Sequence, residues 1–436
     1  MSTTRPTSSP ASPSPQPRLP QELLDLILDF VTDTPTLKSC ALAAHSLLYT
    51  AQKHLFTRLT IFPAARTVGW RPWRTPLNPT KLAELFAASP ALATHVRELT
   101  LLSDSGSGNP AWLNEGPVPV SRTLYVFTGL TTLVIESRVT RLSWLQFPGP
   151  LKAALCALVA LPSMTSVTLR NIRFTSTTHL VGLLSGGKAL RHLTLGLIMA
   201  ATSPQAGEMQ EVPPQELLAL ESIALDAFSG TLFTALANQI DPRALRHLDI
   251  KVRGPPYEAL AQNLVLAHAE NLHTLRVALG HEHTAQSAID LRTLPRLHTL
   301  ELAVELAYMY KPDDYAPLLW VSHILGRPGR FDRESPSRLR TLVLDLFVDD
   351  ADLRGRLFRD LGSLVPSLTL WAARLSESHG GEQGLFVVRL DAELDFSISA
   401  PRLEADVRDC FRGCFRDASV APGEGVRVEV VLLGLA

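Results

Sequence analysis

Cysteine is scarce in this chain. There are four in 436 residues, at positions 40, 156, 410 and 414, far too few to staple a disulfide scaffold. That usage fits a cytoplasmic or nuclear protein. Cys410 and Cys414 stand four apart with no second cysteine pair and no nearby histidine pair, so they read as reduced thiols on one helix rather than metal ligands. Charge is also thin. Asp, Glu, Lys and Arg make up 19% of the chain and sum to a net charge of −1, against about 25% charged residues in an average domain. Such a balance gives no global attraction to nucleic acid or to an anionic membrane. Long apolar runs are missing as well. No stretch reaches the roughly 18 residues that would span a bilayer, and the most apolar helical stretch, 153–161, stops at Pro162. The start of the chain has no apolar signal segment, which argues against secretion.

Signatures of chemistry are equally absent. The run Gly182 to Ala189 nearly fits a phosphate-binding loop, but Ala189 stands where a hydroxyl would hold magnesium. The order is also reversed, with a helix before and a strand after, so the glycines read as a helix C-cap. His281-Glu282-His283 lacks the spacing that puts two ligands on one helix face. No nucleophile elbow or Cys/His pairing is found. No catalytic residue, cofactor or metal is expected.

What the chain has in excess is leucine: 77 of its residues. Much of it recurs in one phrase, apolar-x-x-apolar-x-apolar. The phrase begins at Val96, Leu130, Met164, Leu190, Leu220, Leu245, Leu272, Leu297 and Leu339, at steps of 25 to 34 residues until a last step of 42. Some copies are near-duplicates. Ala-Leu-Arg-His-Leu stands at 189–193 and 244–248, and Leu-His-Thr-Leu at 272–275 and 297–300. This phrase at this spacing is the signature of a leucine-rich repeat. Helices are expected between copies, over 178–184, 215–220, 231–239 and 257–268. Each unit is then a strand, a turn and a helix that buries its apolar face only against its neighbours. Past 349 the phrase fades, although 385–390 and 426–433 still read as strands and 402–415 as a helix, as expected of a modified end cap.

Ahead of the repeats the chain changes character twice. Residues 1–18 are almost all Ser, Thr, Pro, Ala and Gln, a composition expected to be disordered. From Pro20 the residues Leu23, Leu24, Ile27, Leu28 and Val31 give the spacing of a helix with a wide apolar face. Asp33-Thr34-Pro35 signals a restart, with Thr34 expected as N-cap and Pro35 at the first helical position. A second helix is expected to carry Leu37, Cys40, Ala41, Ala44 and Leu47/Leu48. A third, 49–56, leads into Leu59-Thr60-Ile61.

Three blocks of this region carry a family resemblance: Leu19-Pro20-Gln21-Glu22-Leu23-Leu24, then Thr36-Leu37-Lys38-Ser39-Cys40-Ala41-Leu42, then His54-Leu55-Phe56-Thr57-Arg58-Leu59. Together they resemble the F-box variant common in basidiomycete fungi, over about 43 residues, a tenth of the chain. The chain departs from that pattern at Leu47, where the family usually has Trp. The resemblance implies docking onto a Skp-family adaptor of a cullin ligase, with Leu19, Pro20, Leu23, Leu24, Ile27, Leu37, Cys40 and Leu42 in the contact. The expected fold is α/β: a small N-terminal three-helix F-box, then an irregular leucine-rich-repeat solenoid with parallel strands on its concave face. The divisions are a tail (1–18), the F-box-like domain (19–61), a linker and helical cap (62–95), the solenoid (96–348) and C-terminal repeats or cap (349–436).

The chain is then expected to act as the substrate-recognition subunit of an SCF-type ubiquitin ligase, carrying no chemistry itself and binding an unknown target protein, not nucleic acid or membrane. A second reading is a structural interaction scaffold with a degenerate F-box. Target contact is expected from charged residues between and after the leucines, on the concave side. Of these Glu98, Glu136, Arg170, Asp226, Asp249, Lys251, Arg276, Glu301 and Asp345 have mixed signs that suit a protein partner. Tyr308 and Tyr310 sit with Tyr315 and Trp320 in the widest step, where an aromatic cluster is a candidate contact.

Overall fold

The computed structural model describes residues 19–62, 79–103, 112–113, 119–200, 217–226, 230–252, 255–279, 289–306, 317–325, 339–348, 385–392 and 427–433, with scattered residues of 361–371 and 405–411. The expected disordered tail, Tyr308, Tyr310, Tyr315, the His281-Glu282-His283 run and Cys410 and Cys414 lie outside the described residues.

Three helices come first: α1 (Gln21–Asp29), α2 (Thr34–Ala43) and α3 (His45–Phe56). One residue later the chain enters β1 (Arg58–Ile61). Then follow α4 (Pro79–Ala88), a 3-10 turn (Pro90–His95), β2 (Glu98–Ser103), α5 (Val120–Leu124), β3 (Thr132–Ser137) and β4 (Leu142–Ser143). The middle of the chain alternates α6 (Gly149–Val159), β5 (Ser166–Arg170), β6 (Ile172–Phe174), α7 (Thr177–Leu184), β7 (His192–Gly196), β8 (Met199–Ala200), β9 (Ser222–Asp226) and α8 (Gly230–Ala237). The rest holds β10 (His247–Val252), α9 (Pro255–Ala267), β11 (Thr274–Leu279), β12 (Thr299–Leu306), α10 (Pro317–Leu325), β13 (Thr341–Val348), β14 (Leu385–Ala392) and β15 (Arg427–Leu433).

Twelve strands form one sheet in the order β1-β2-β3-β5-β7-β9-β10-β11-β12-β13-β14-β15, with β4-β6-β8 as a small ribbon beside it. Every pairing in both is parallel. The architecture is therefore mixed α/β, and each of the nine phrases becomes one strand of the large sheet. The second apolar position of the phrase lies in register from Leu99 through Leu133, Val167, Leu193, Ile223, Leu248, Leu275 and Leu300 to Leu342. None of these nine side chains is more than 1% exposed. Helices cover the same apolar face, with Leu155 of α6, Leu183 of α7 and Leu264 of α9 in one cluster with these strand residues. Adjacent strands begin alike, because two successive amides share one carbonyl. Arg246 and His247 both donate to the Glu221 carbonyl, and His273 and Thr274 to that of Arg246.

Asn171 stands two residues past the last apolar position of the third phrase. Its φ is +57°, which Asn tolerates better than most residues. Its Nδ2 donates to the Ser137 carbonyl at 3.1 Å and its amide to the Gly196 carbonyl at 2.7 Å. Strands expected at 385–390 and 426–433 are present as β14 and β15, and they prolong the same sheet.

Three local expectations are corrected. Residues 217–220 are extended rather than helical: Leu218 donates to the Gln239 carbonyl and accepts from the Asp241 amide, forming a bridge to Ile240. The second helix ends at Ala43, and Leu47 and Leu48 belong to α3 because Ala44 is extended (φ −152°, ψ 141°). The α2 cap is Asp33, not Thr34, since the Asp33 carboxylate accepts from the Thr36 amide at 2.7 Å. That bond also holds its pKa below the usual value.

The stack makes two predictions. Leu275→Ala removes a methyl-rich side chain with no exposed surface and is expected to cost about 2–5 kcal/mol, read from the urea midpoint. His268, immediately after α9, is 2% exposed, and both of its ring nitrogens are buried. Burial pushes its pKa down from 6.5, with the Pro242 backbone and Asp241 pulling weakly the other way. The folded state thus resists protonation, so its contribution is complete above about pH 6.5 and is lost as pH falls below it. His268→Leu is expected to flatten the acid-side loss of thermal stability between about pH 6.5 and 5.

Candidate protein-binding surfaces

The helical module has a core of its own. Leu28, Leu37 and Ala51 are buried there, with Val31, Cys40, Ala41, Leu47 and Leu55 packed around them. Polar ties fix α1 to α3: Thr50 Oγ1 donates to Asp25 Oδ1 at 2.5 Å, Gln21 Nε2 donates to the Ser46 carbonyl at 2.8 Å, and His54 Nε2 meets Asp29 Oδ1 at 2.9 Å. Gln21 Nε2 also donates to Asp25 Oδ1 at 2.8 Å, and the Thr50 and Gln21 bonds to this carboxylate keep its pKa below the usual value.

Because that small core uses only one side of α1, the remaining apolar side chains point away. Leu23, Leu26, Ile27 and Phe30 follow helical i, i+3, i+4, i+7 spacing and are 45%, 51%, 53% and 79% exposed. Leu19 and Leu42 are exposed too. The single wide apolar face read from the sequence is thus two faces. Leu24 and Leu28 lie on the sheltered side, and Leu23 and Ile27 on the outer one. Among the eight expected contact residues, Leu19, Pro20, Leu23, Ile27 and Leu42 are exposed, Leu24 and Cys40 are half-buried, and Leu37 is buried in the module's core. Leu26 and Phe30 were not anticipated. Leu47, where the resembled family has Trp, packs against the module's own core.

The module is continuous with the sheet. Leu55 packs on the module core and Phe56 on the main core, so α3 belongs to both. Tyr49 of α3 meets His95 edge-on at 5.0 Å between centroids, and the Thr57 carbonyl accepts from the Arg97 and Glu98 amides that start β2.

The sheet face opposite the leucines carries the expected charged residues, and its C-terminal part draws four of them into one network. Arg276 is the hub. Its Nη1 reaches Asp249 Oδ2 at 3.2 Å, its Nε reaches Glu301 Oε2 at 3.5 Å and its Nη2 reaches Asp345 Oδ2 at 3.4 Å. Arg389 of β14 closes the group, with Nη1 at 3.6 Å from Glu301 and 3.4 Å from Asp345. Strand register explains the convergence: Asp249, Arg276 and Glu301 are direct neighbours on β10, β11 and β12, and Asp345 pairs with Arg389 two residues further along, on the same face. Arg389 was missed because β14 carries no phrase. Arg170, Asp226 and Lys251 lie in the Asp345 row on strands β5, β9 and β10, outside this network. Trp320 is only 2% exposed and belongs to the apolar core.

Three carboxylates share two guanidinium groups. Burial raises the pKa of both Asp249 and Glu301, against the pull of the arginines. Burial also disfavours the Arg276 charge, but Asp249 and Asp345 outweigh it and raise its pKa. Among the described residues no group of His, Cys, Asp and Glu could hold a metal ion, and no helix is long and apolar enough to cross a membrane. The glycine-rich run at 182–188 begins in the last turn of α7 and ends before β7, and the Gly187 amide donates to the Leu184 carbonyl at the helix end. No protein-family model matches the chain, and no curated protein matches it significantly.

Raised carboxylate pKa values in the fold mean that stability falls as pH climbs from the ordinary carboxylate range through the folded values. Glu301→Gln is expected to reduce that fall, seen as a smaller difference between thermal midpoints at about pH 5 and pH 7. Arg276→Met, which leaves three carboxylates against one arginine, is expected to cost about 1–3 kcal/mol at neutral pH in the same assay.

Proposed function

We propose that the chain is the substrate-recognition subunit of a cullin-based, SCF-type ubiquitin ligase. In this reading residues 19–61 are an F-box that docks on a Skp-family adaptor. The strands behind it are an irregular leucine-rich-repeat solenoid whose polar face selects a target protein. The chain brings the two together and performs no chemistry itself. One observation carries the reading: Leu23, Leu26, Ile27 and Phe30 stand exposed on α1 although the module already has a filled core. Contiguous exposed apolar surface of this kind marks a protein interface, and an apolar helical face seated in a partner's groove is a common docking mode. The three sequence blocks that resemble an F-box span the same helices.

Point variants test this more cleanly than removal of the module, which would also take β1 from the sheet. Leu23→Asp or Ile27→Asp is expected to abolish copurification of the Skp-family adaptor while the urea midpoint of the chain is unchanged. Leu37→Asp is expected to unfold the module and lose both. Retention of the adaptor by the Leu23→Asp variant would overturn the reading, and failure of the unaltered chain to capture any adaptor would favour the scaffold reading.

A further inference from the structure

The near-duplicate phrases do something that the leucines alone do not require. Their polar residues fall at strand starts, on the residue just before the strand and on its first residue. His192 is the first residue of β7 with Arg191 immediately before it, and His247 and Arg246 stand likewise at β10. His273, His298 and Arg340 stand immediately before β11, β12 and β13. The parallel register lines these positions up across six adjacent strands, β7 to β13. At about 4.8 Å per strand they form a rim roughly 24 Å long. The one acid at these positions, Glu221, pairs with Arg191 at 3.6 Å. His192, Arg246, His247 and Arg340 are exposed. The His273 and His298 rings lie nearly parallel, 12° apart with centroids at 5.4 Å.

This rim contrasts with the network on the same sheet. There, arginines and carboxylates are interleaved and answer each other. Here arginine and histidine are collected along an edge. The amides at the strand starts donate to neighbouring carbonyls, so an anion arriving at the rim meets side chains rather than backbone.

We propose that this rim is a docking edge for an acidic segment of a partner protein, held more tightly as His247 protonates. About seven residues of extended chain would cover its length. A strip of arginine and histidine side chains in which Glu221 is the one acid is complementary to a run of Asp and Glu. A nucleic acid is the weaker fit, because the chain's net charge is −1 and no Trp, Tyr or Phe occupies these strand starts to stack on bases. Histidine supplies the pH response. Burial holds His247 below its ordinary pKa, and the charges of His273, Arg246 and His192 push the same way while Glu221 opposes them. Carboxylates laid along the rim reverse that balance, so binding takes up protons and strengthens as pH falls towards 6. This inference is independent of adaptor docking by the helical module.

Fluorescence anisotropy with the full chain tests it, using a labelled peptide of alternating glutamate and serine and its glutamine counterpart. The acidic peptide is expected to bind, to weaken with added salt, and to tighten at least about threefold between pH 7.5 and pH 6, where glutamate stays ionised. An Arg246→Gln, His247→Gln double variant is expected to lose about tenfold in affinity. His247→Gln alone is expected to lose most of the pH response, and Lys152→Gln on the helical side to change nothing. The proposal is overturned if the glutamine peptide binds equally well, if the double variant binds as before, or if the affinity ignores pH. Tighter binding of labelled oligothymidylate than of the acidic peptide would also overturn it. None of these outcomes depends on a ligase, so their failure is separable from failure of the adaptor reading.

Discussion

Everything in this protein rests on one row of side chains repeated from strand to strand. A parallel strand cannot close its own hydrogen bonds or cover its own apolar face, so each strand depends on the two beside it. The ladder from Leu99 to Leu342 has essentially no exposed surface, and helices such as α6, α7 and α9 cover it. The low charge of the chain follows from this. With one face of a twelve-stranded sheet and the inner faces of its helices given to leucine, few positions remain for ionised groups.

Constraint on one face leaves choice on the other. The residues opposite the leucines need only tolerate extended backbone, and along the sheet they sort into distinct chemistries. Thr100, Thr168 and Thr194 sit in one row at the N-terminal side, and the same row continues as Asp249, Arg276 and Glu301 further on. The strand starts collect arginine and histidine. Neighbouring positions separated by one strand spacing can thus serve different partners without disturbing the core.

Most of this sheet was legible from sequence, because a leucine period of 25 to 34 residues survives any drift in the loops. What was not legible depended on contacts between distant parts of the chain. Arg389 gives no local signal, since it joins the network only through the pairing of β14 with β13. Residues 217–220 have helical apolar spacing, but a bridge to Ile240 holds them extended. The module taught a different lesson. Apolar residues ring most of α1, so its sequence pattern has no clear polar side, and only the size of the Leu28, Leu37 and Ala51 core shows how much apolar surface is left over. The cap at Asp33 was missed by one position, as two oxygen-bearing side chains in a row made either plausible.

The join between α3 and β1 has a further consequence. A single residue, Thr57, separates them, and its carbonyl is held by the amides of Glu98, the first residue of β2, and of Arg97 just before it. There is no slack in which the module could swing. The module is therefore held in fixed register with the sheet, and each later strand stands about 4.8 Å further along it. The sheet works as a ruler anchored at the module. Its graduations are whole strands, so distance along it changes only in steps, by gain or loss of a complete unit.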